Sequence, residues 1–120
     1  MPSKELVIKV MAMPGDLNPD GDMFGGWILS QMDLAAYLQA RKLTHAKIVT
    51  VAMDKVVFHQ PVFVGDCLIC YATTEKVGRT SITVKIEAQV ERKEGRAIET
   101  VTEGLFVFVA IDGKRKPIPL

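Results

Sequence analysis

The chain has 120 residues, with 15 Lys and Arg against 14 Asp and Glu and a formal charge of +1. That balance, with both signs interspersed, gives no support for general nucleic-acid binding and leaves room only for a local basic patch toward a phosphorylated ligand. The length fits one domain spanning residues 1–120, and its 48% apolar content is high for so small a unit; subunit interfaces would account for it, because assembly turns exposed apolar surface into core. Residues 1–13, MPSKELVIKVMAM, lack the long apolar run and small-residue cleavage site of a targeting segment. No stretch approaches the roughly 20 apolar residues that span a bilayer. The expectation is a soluble, cytoplasmic protein.

Residues 5–13, ELVIKVMAM, read as a first strand. Residues 14–22, PGDLNPDGD, are dense in Pro, Gly, Asp and Asn and read as a loop, with Asp22 at its end as the candidate helix N-cap. Residues 23–43, MFGGWILSQMDLAAYLQARKL, are the one long helical stretch, free of Pro and closed by Arg41 and Lys42. Its apolar residues nearly encircle it, which predicts burial nearly all round. Four strands follow at 47–58, 67–76, 81–92 and 98–111, with turns around Pro61 to Asp66, near Gly78 and at 93–97. The third of these alternates cleanly, with Ile82, Val84, Ile86, Ala88 and Val90 on one face. Short connections between successive strands imply an antiparallel sheet. The predicted fold class is α+β, one curved antiparallel sheet wrapped around one long helix.

Cys67 and Cys70 are spaced C-x-x-C. In a strand, residues three apart point to opposite faces, so the pair forms neither a disulfide nor a shared metal site, and both read as buried thiols. No second Cys/His pair completes a zinc site, and no spacing suggests any metal.

Two features carry possible chemistry. The adjacent Gly25 and Gly26 in a first helical turn cost up to about 1 kcal/mol each relative to Ala. Open N–H donors at a helix N-terminus form an anion site or oxyanion hole; close packing of a neighbouring element explains the glycines equally well. Asp33 lies mid-helix, on a stripe with Gly26, Ser30 and Tyr37. It reads either as a carboxylate satisfied by Ser30, Tyr37 or solvent, or as a base or nucleophile in an interface cleft. Gly26 and Asp33 are seven residues apart, roughly 10 Å along a helix. A carbonyl under attack needs its base and its oxyanion donor both within about 3 Å. If both groups are catalytic, the site lies between subunits.

Other candidates are weaker. His59 reads as a strand-end histidine with a structural hydrogen bond, His45 as a surface or capping residue, and Asp66 as a turn residue. Gly78, Arg79, Thr80 and Ser81 form a basic turn that is either a solvated hairpin or a phosphate contact. The basic run Lys114-Arg115-Lys116 reads as a solvated end.

The segment from Asn18 to Asp33, N-x-x-G-D-x-F-G-G-W-I-x-S-Q-M-D, closely resembles the YciA-type acyl-CoA thioester hydrolases of the hotdog superfamily. The resemblance continues through Ile48 to Ala52, Phe58 with Pro61-Val62, Val64-Gly65-Asp66, Val77 to Ser81, Phe108 to Ala110 and Ile118-Pro119. It implies a hotdog fold with a five-stranded sheet, and dimers that assemble into trimers of dimers with active sites at the dimer interface. It implies an acyl-CoA substrate, with Asp33 as the catalytic carboxylate, either base or nucleophile, and no cofactor beyond the coenzyme A of the substrate. Gly26, with Gly25 beside it, becomes the oxyanion donor. Asn18, Asp22 and Phe24 fall to shaping and binding at the substrate site, and Gly78, Arg79, Thr80 and Ser81 to contacting CoA. The chain departs from the family at Gln60, where Arg or Lys usually precedes the proline, and at His59, often Ile or Leu. A non-catalytic acyl-CoA sensor or carrier is the alternative on the same fold. A hotdog dehydratase is a third reading, for which His59 is the one histidine candidate and lies outside the glycine-helix motif.

Overall fold

A computed structural model describes residues 4–120; Met1–Ser3, the start of the stretch read for a targeting signal, lie outside the described residues. The elements follow the order strand β1 (Glu5–Met11), helix α1 (Gly25–Ala40), then β2 (Lys47–Phe58), β3 (Cys67–Val77), β4 (Ser81–Glu91) and β5 (Ile98–Ile111). Short 3-10 turns occupy Pro14–Asp16 and Arg41–Leu43. The five strands form one antiparallel sheet in the order β1-β3-β4-β5-β2, so β1 and β2 are its edges. This is the expected α+β architecture.

The sheet's inner face follows from period-2 patterning. Ile82, Val84, Ile86, Ala88 and Val90 of β4 are all fully buried, while the intervening residues are partly exposed. Leu68, Cys70 and Ala72 of β3 and Phe106, Phe108 and Ala110 of β5 continue the same layer. α1 lies across it with Ile28, Met32, Ala35, Ala36 and Ala40 buried. Burying a large side chain such as Met32 or Phe106 contributes about 2 kcal/mol, so this layer dominates the fold's stability. The small Ala35, Ala36 and Ala40 let helix and sheet approach closely.

The helix is covered on one face, not nearly all round as its composition predicts. Leu34 is 49% and Tyr37 38% exposed, and Phe24, just before the helix, is 50% exposed. One sheet presents one surface and leaves the other side of the cylinder uncovered. Edge strand β2 adds to the same apolar exposure with Val51, Met53, Val57 and Phe58.

Two registers place the ends of the sheet. Thr50, Phe108, Ile82 and Val77 lie in one row across β2, β5, β4 and β3. Phe58, Thr102, Ala88 and Cys70 lie in another, toward the opposite end. The segment after β5 turns back, with Ile118 N–H donating to Ala110 O and Leu120 N–H to Arg79 O.

Cys67 and Cys70 are both free, as the strand geometry requires. Cys70 is fully buried and its thiol is pushed up to about 12 by burial. Cys67, at the start of β3, is only half-buried, a correction to the expectation of two buried thiols: the strand end is covered on one side only. In a thiol titration at pH 8, Cys67 is expected to react in the native protein and Cys70 only after unfolding. Equal reaction of both in the folded state would contradict this packing.

Candidate active site

The loop before α1 is organised by Asn18. Its side-chain Oδ1 accepts the N–H groups of Asp20 at 2.9 Å and Asp22 at 3.0 Å, and its own N–H donates to Asp22 O at 2.7 Å. Gly21, at φ +90°, takes the left-handed conformation this closure needs. Leu17 then bridges Met23, and Met23 N–H donates to Val62 O at 2.9 Å. Because Met23 is held extended, the helix starts at Gly25 with Phe24 at the N-cap, and no side chain caps it. This corrects the assignment of Asp22 as N-cap; Asp22 serves the loop. The helix is correspondingly shorter than residues 23–43, its last stretch tightening into a 3-10 turn.

The first helical donors, Trp27 and Ile28, bond Phe24 O. Among the described residues, no acceptor meets the N–H of Gly25 or Gly26. They are the open donors at the positive end of the helix dipole. The two glycines differ in their surroundings. A Cβ on Gly25 would touch the Phe58 ring at 3.4 Å, so close packing accounts for this glycine in part. A Cβ on Gly26 would meet nothing within 4 Å, and packing within the protomer gives no reason for it.

A cleft of about 390 Å³ opens here, lined by Asn18, Asp22, Met23, Gly25, Ile28 and Phe58 together with His59, Gln60 and Pro61. Asn18, Asp22 and Gly25 thus meet as the motif suggests, whereas Phe24 and Gly26 lie beside the lining. In sequence, His59 and Gln60 are the two departures from the family pattern. Their juxtaposition to the glycine loop is a tertiary fact, created where the end of β2 brings Phe58 against Gly25. The backbone N–H of His59 donates to Val101 O at 2.7 Å.

Asp33 is half-buried and accepts the Thr50 Oγ1–H of β2 at 2.8 Å. Neither Ser30 nor Tyr37 is its partner: the Ser30 hydroxyl turns back to Trp27 O, and Tyr37 packs its ring edge-on to Phe108 at 6.2 Å. The stripe of Gly26, Ser30, Asp33 and Tyr37 runs along a flank of α1 beside its open side: Gly26 and Ser30 are exposed, while Asp33 reaches Thr50 of β2 and Tyr37 stands against Phe108 of β5. Asp33 is not part of the glycine cleft of the same protomer, in keeping with the roughly 10 Å separation along the helix. Thr50 carried no signal in the sequence for this role, since a strand threonine is common and its partner is a contact across elements.

The turn Gly78–Ser81 is also distant from that cleft. It closes through Gly78 N–H to Ser81 O at 2.8 Å and sits at the Thr50 end of the sheet. The carbonyls of Arg79 and Thr80 accept Leu120 and Ala110 N–H, and the Arg79 side chain is exposed. Lys114, Arg115 and Lys116 are exposed as expected.

Asp66 behaves as the turn residue expected of it. It is buried, and accepts Phe63 N–H at 3.0 Å, Lys93 N–H at 2.9 Å and the Arg92 guanidinium at 2.9 Å. Burial alone would push its carboxyl up; the two amides and Arg92 more than offset this and hold it below the usual 3.8.

Among the described residues, no cluster of His, Cys, Asp and Glu could hold a metal ion, and no helix is long and apolar enough to cross a membrane.

A five-stranded antiparallel sheet packed on one long helix is the hotdog architecture of thioesterases. A family model described as the Thioesterase superfamily matches residues 20–97. The acyl-CoA thioester hydrolase YciA of Salmonella typhimurium is 43% identical over 122 residues, covering 99% of this chain and 92% of the relative. The hexameric thioesterase of Yersinia pestis superposes with a TM-score of 0.91 at 43% identity, over 100% of this chain and 98% of that one. A hexameric hotdog fold thioesterase of Campylobacter jejuni gives 0.89 at 44%, over 97% and 90%. The chain belongs to the thioesterase superfamily and, within it, to the YciA-type acyl-CoA thioester hydrolase family.

The sign of the Asp66 effect on stability is fixed by its lowered native value. Stability from the carboxylate is present above about pH 3.8, the ordinary value taken for the unfolded chain, and is lost as pH falls through the native one. Asp66→Asn should therefore unfold more easily at pH 7, by about 2 kcal/mol. The gap to wild type should narrow below pH 4, as denaturant titrations at several pH values would measure. A gap independent of pH would sink the assignment.

Proposed function

We propose that this protein hydrolyses acyl-CoA thioesters to a carboxylic acid and free CoA. The observation that carries the reading is the placement of Asp33: a half-buried carboxylate on the flank of α1 beside its open side, held among the described residues by a single hydroxyl from Thr50, on a helix whose first amides meet no acceptor among those residues. Such a carboxylate is oriented yet still has lone pairs free to take a proton or attack a carbonyl. The names of the relatives point to the same substrate class.

In this reading the thioester carbonyl oxygen lies against the amides of Gly26 and Gly25. Asp33 draws a proton from water as the water attacks, or attacks itself to give a mixed anhydride that water then cleaves. The negative charge that develops on oxygen meets fixed N–H dipoles, which is worth about 3 kcal/mol per well-placed donor. The thiolate leaves readily, so the chemistry calls for no cofactor; coenzyme A enters only as part of the substrate. Asn18 and Asp22 shape the cleft, Phe24 borders it, and the Gly78-Arg79-Thr80-Ser81 turn contacts the CoA moiety of a bound molecule.

The site is assembled from two copies. One helix cannot bring Gly26 and Asp33 to one carbonyl, and two helices related by a two-fold axis can. Phe24, Leu34 and Tyr37 around α1 and Val51, Met53 and Val57 on edge strand β2 supply the apolar surface for such a dimer. The hexameric state of the Yersinia pestis and Campylobacter jejuni thioesterases supports dimers gathered as a trimer.

Thiol release from acyl-CoAs of two to eighteen carbons, by wild type and Asp33→Asn in parallel, tests the reading. Wild type should turn over, and the variant should fall at least about 100-fold with its fold and assembly intact. Binding of acyl-CoA without thiol release would make the protein a sensor or carrier. Full activity in the variant would make Asp33 structural.

A further inference from the structure

The segment joining β2 to β3 forms one wall of the cleft, and it is held from outside by a side chain with no place in the chemistry above. Arg92 follows β4 directly and is 15% exposed. Its Nη1 donates to Pro61 O at 2.8 Å and to Asp66 Oδ2 at 2.9 Å. Its Nε donates to Glu99 at 2.8 Å, Nη2 reaches the same carboxylate, and the guanidinium stands 5.6 Å from the Phe63 ring centre. Asp66 in turn accepts the amides of Phe63 and Lys93, while its own carbonyl accepts Ala12 N–H at 2.8 Å. Gly65, at φ +94° and with a Cβ position 2.5 Å from the Lys93 side chain, makes the tight turn that lets these groups converge.

From this hub one hydrogen bond leads into the site. Val62, between Pro61 and Phe63, is fully buried and its carbonyl accepts Met23 N–H at 2.9 Å. Met23 is two residues before Gly25, where α1 begins. The position of the Val62 carbonyl therefore sets the point from which the helix starts. Pro61, gripped directly by Arg92, also lines the cleft.

We propose that Arg92 and Asp66 are a positioning pair for the helix N-terminus: by fixing Pro61 and Val62 they set, through the Val62–Met23 hydrogen bond, where the Gly25 and Gly26 amides point and how wide the cleft stands. The inference rests on the hydrolase reading for its catalytic consequence, though not for its structural one. Arginine suits the task because its planar fork serves three separate acceptors at once, which a lysine ammonium on a flexible stem does not. Displacing oxyanion donors by as little as about 1 Å costs on the order of 100-fold in rate, so a distant clamp can matter to turnover.

The test compares Arg92→Met and Arg92→Lys with Ile86→Ala, a core truncation in β4 that leaves the clamp intact. Amide hydrogen exchange at Met23 is measured without substrate, with Ala36 in the middle of α1 as the internal reference. Turnover of acetyl-CoA and octanoyl-CoA is measured well below the melting temperature, separating kcat from KM. Arg92→Met should speed exchange at Met23 at least about 10-fold relative to Ala36, and lower kcat by a similar factor with a smaller change in KM. Arg92→Lys should fall between, and it carries the test alone if Arg92→Met does not fold. Ile86→Ala should leave both ratios near wild type. Unchanged exchange at Met23 in the arginine variants overturns the proposal, as does a loss of kcat no larger than that of Ile86→Ala. Should wild type hydrolyse neither ester nor any longer acyl-CoA, the hydrolase reading fails, while the exchange ratio still decides whether the clamp acts on the helix.

Discussion

The helix α1 has apolar residues on nearly every side, and the sheet can cover only one of them. Ile28, Met32, Ala35, Ala36 and Ala40 are buried in the core with β3, β4 and β5, and residues opposite, Leu34 among them, are exposed in one protomer. Exposed Leu34 lies on that uncovered side, and Gly26, Ser30, Asp33 and Tyr37 run in a line along its border, where Asp33 still reaches Thr50 of β2 and Tyr37 reaches Phe108 of β5. A carboxylate placed among apolar neighbours is expensive once a second surface closes over it, unless it is used or well paired. The same constraint ties the high apolar content to the exposed apolar surface and to the position of Asp33 at its border.

Two carboxylates in this chain stand in contrasting environments. Asp66 accepts two backbone amides and a guanidinium, which hold it charged and leave little capacity for anything else. Asp33 accepts one neutral hydroxyl, from Thr50. A single bond orients the group without saturating it, the condition a base or nucleophile needs. The contrast also bears on how the site is braced. The Asn18 loop runs into the helix N-terminus and the segment ending in the Asp66 turn bonds it through Val62, and each closes through a glycine in the left-handed region, Gly21 and Gly65. The turns that flank the start of α1 are therefore closed by their own hydrogen bonds, and the helix beyond them is held by its core face.

Much of this was legible along the chain. The five strands and the helix emerge within a few residues of their observed ends, because β4 alternates with period two and because the loop before the helix is dense in turn formers. The glycine pair and the mid-helix aspartate stand out for breaking local rules: glycine costs helix stability and a carboxylate resists burial. The misassigned cap has a specific cause. Asp22 has the right side chain for an N-cap, but the bonds from Met23 to Val62 and between Leu17 and Met23 delay the helix to Gly25, and those bonds come from residues remote in sequence.

By itself, the sequence determined the secondary structure, the α+β class, the family and the residues whose types suit the chemistry, since all of these rest on local periodicity, local propensity or a contiguous motif. Only the tertiary structure decided that Thr50 holds Asp33, that His59 and Gln60 stand against the glycine loop, that Arg92 grips Pro61 and Asp66, and that α1 keeps an open side. Each of these depends on which strands become neighbours and on which face of a helix meets the sheet. Those are long-range choices made by burial of the whole apolar layer together, and no window of the chain contains them.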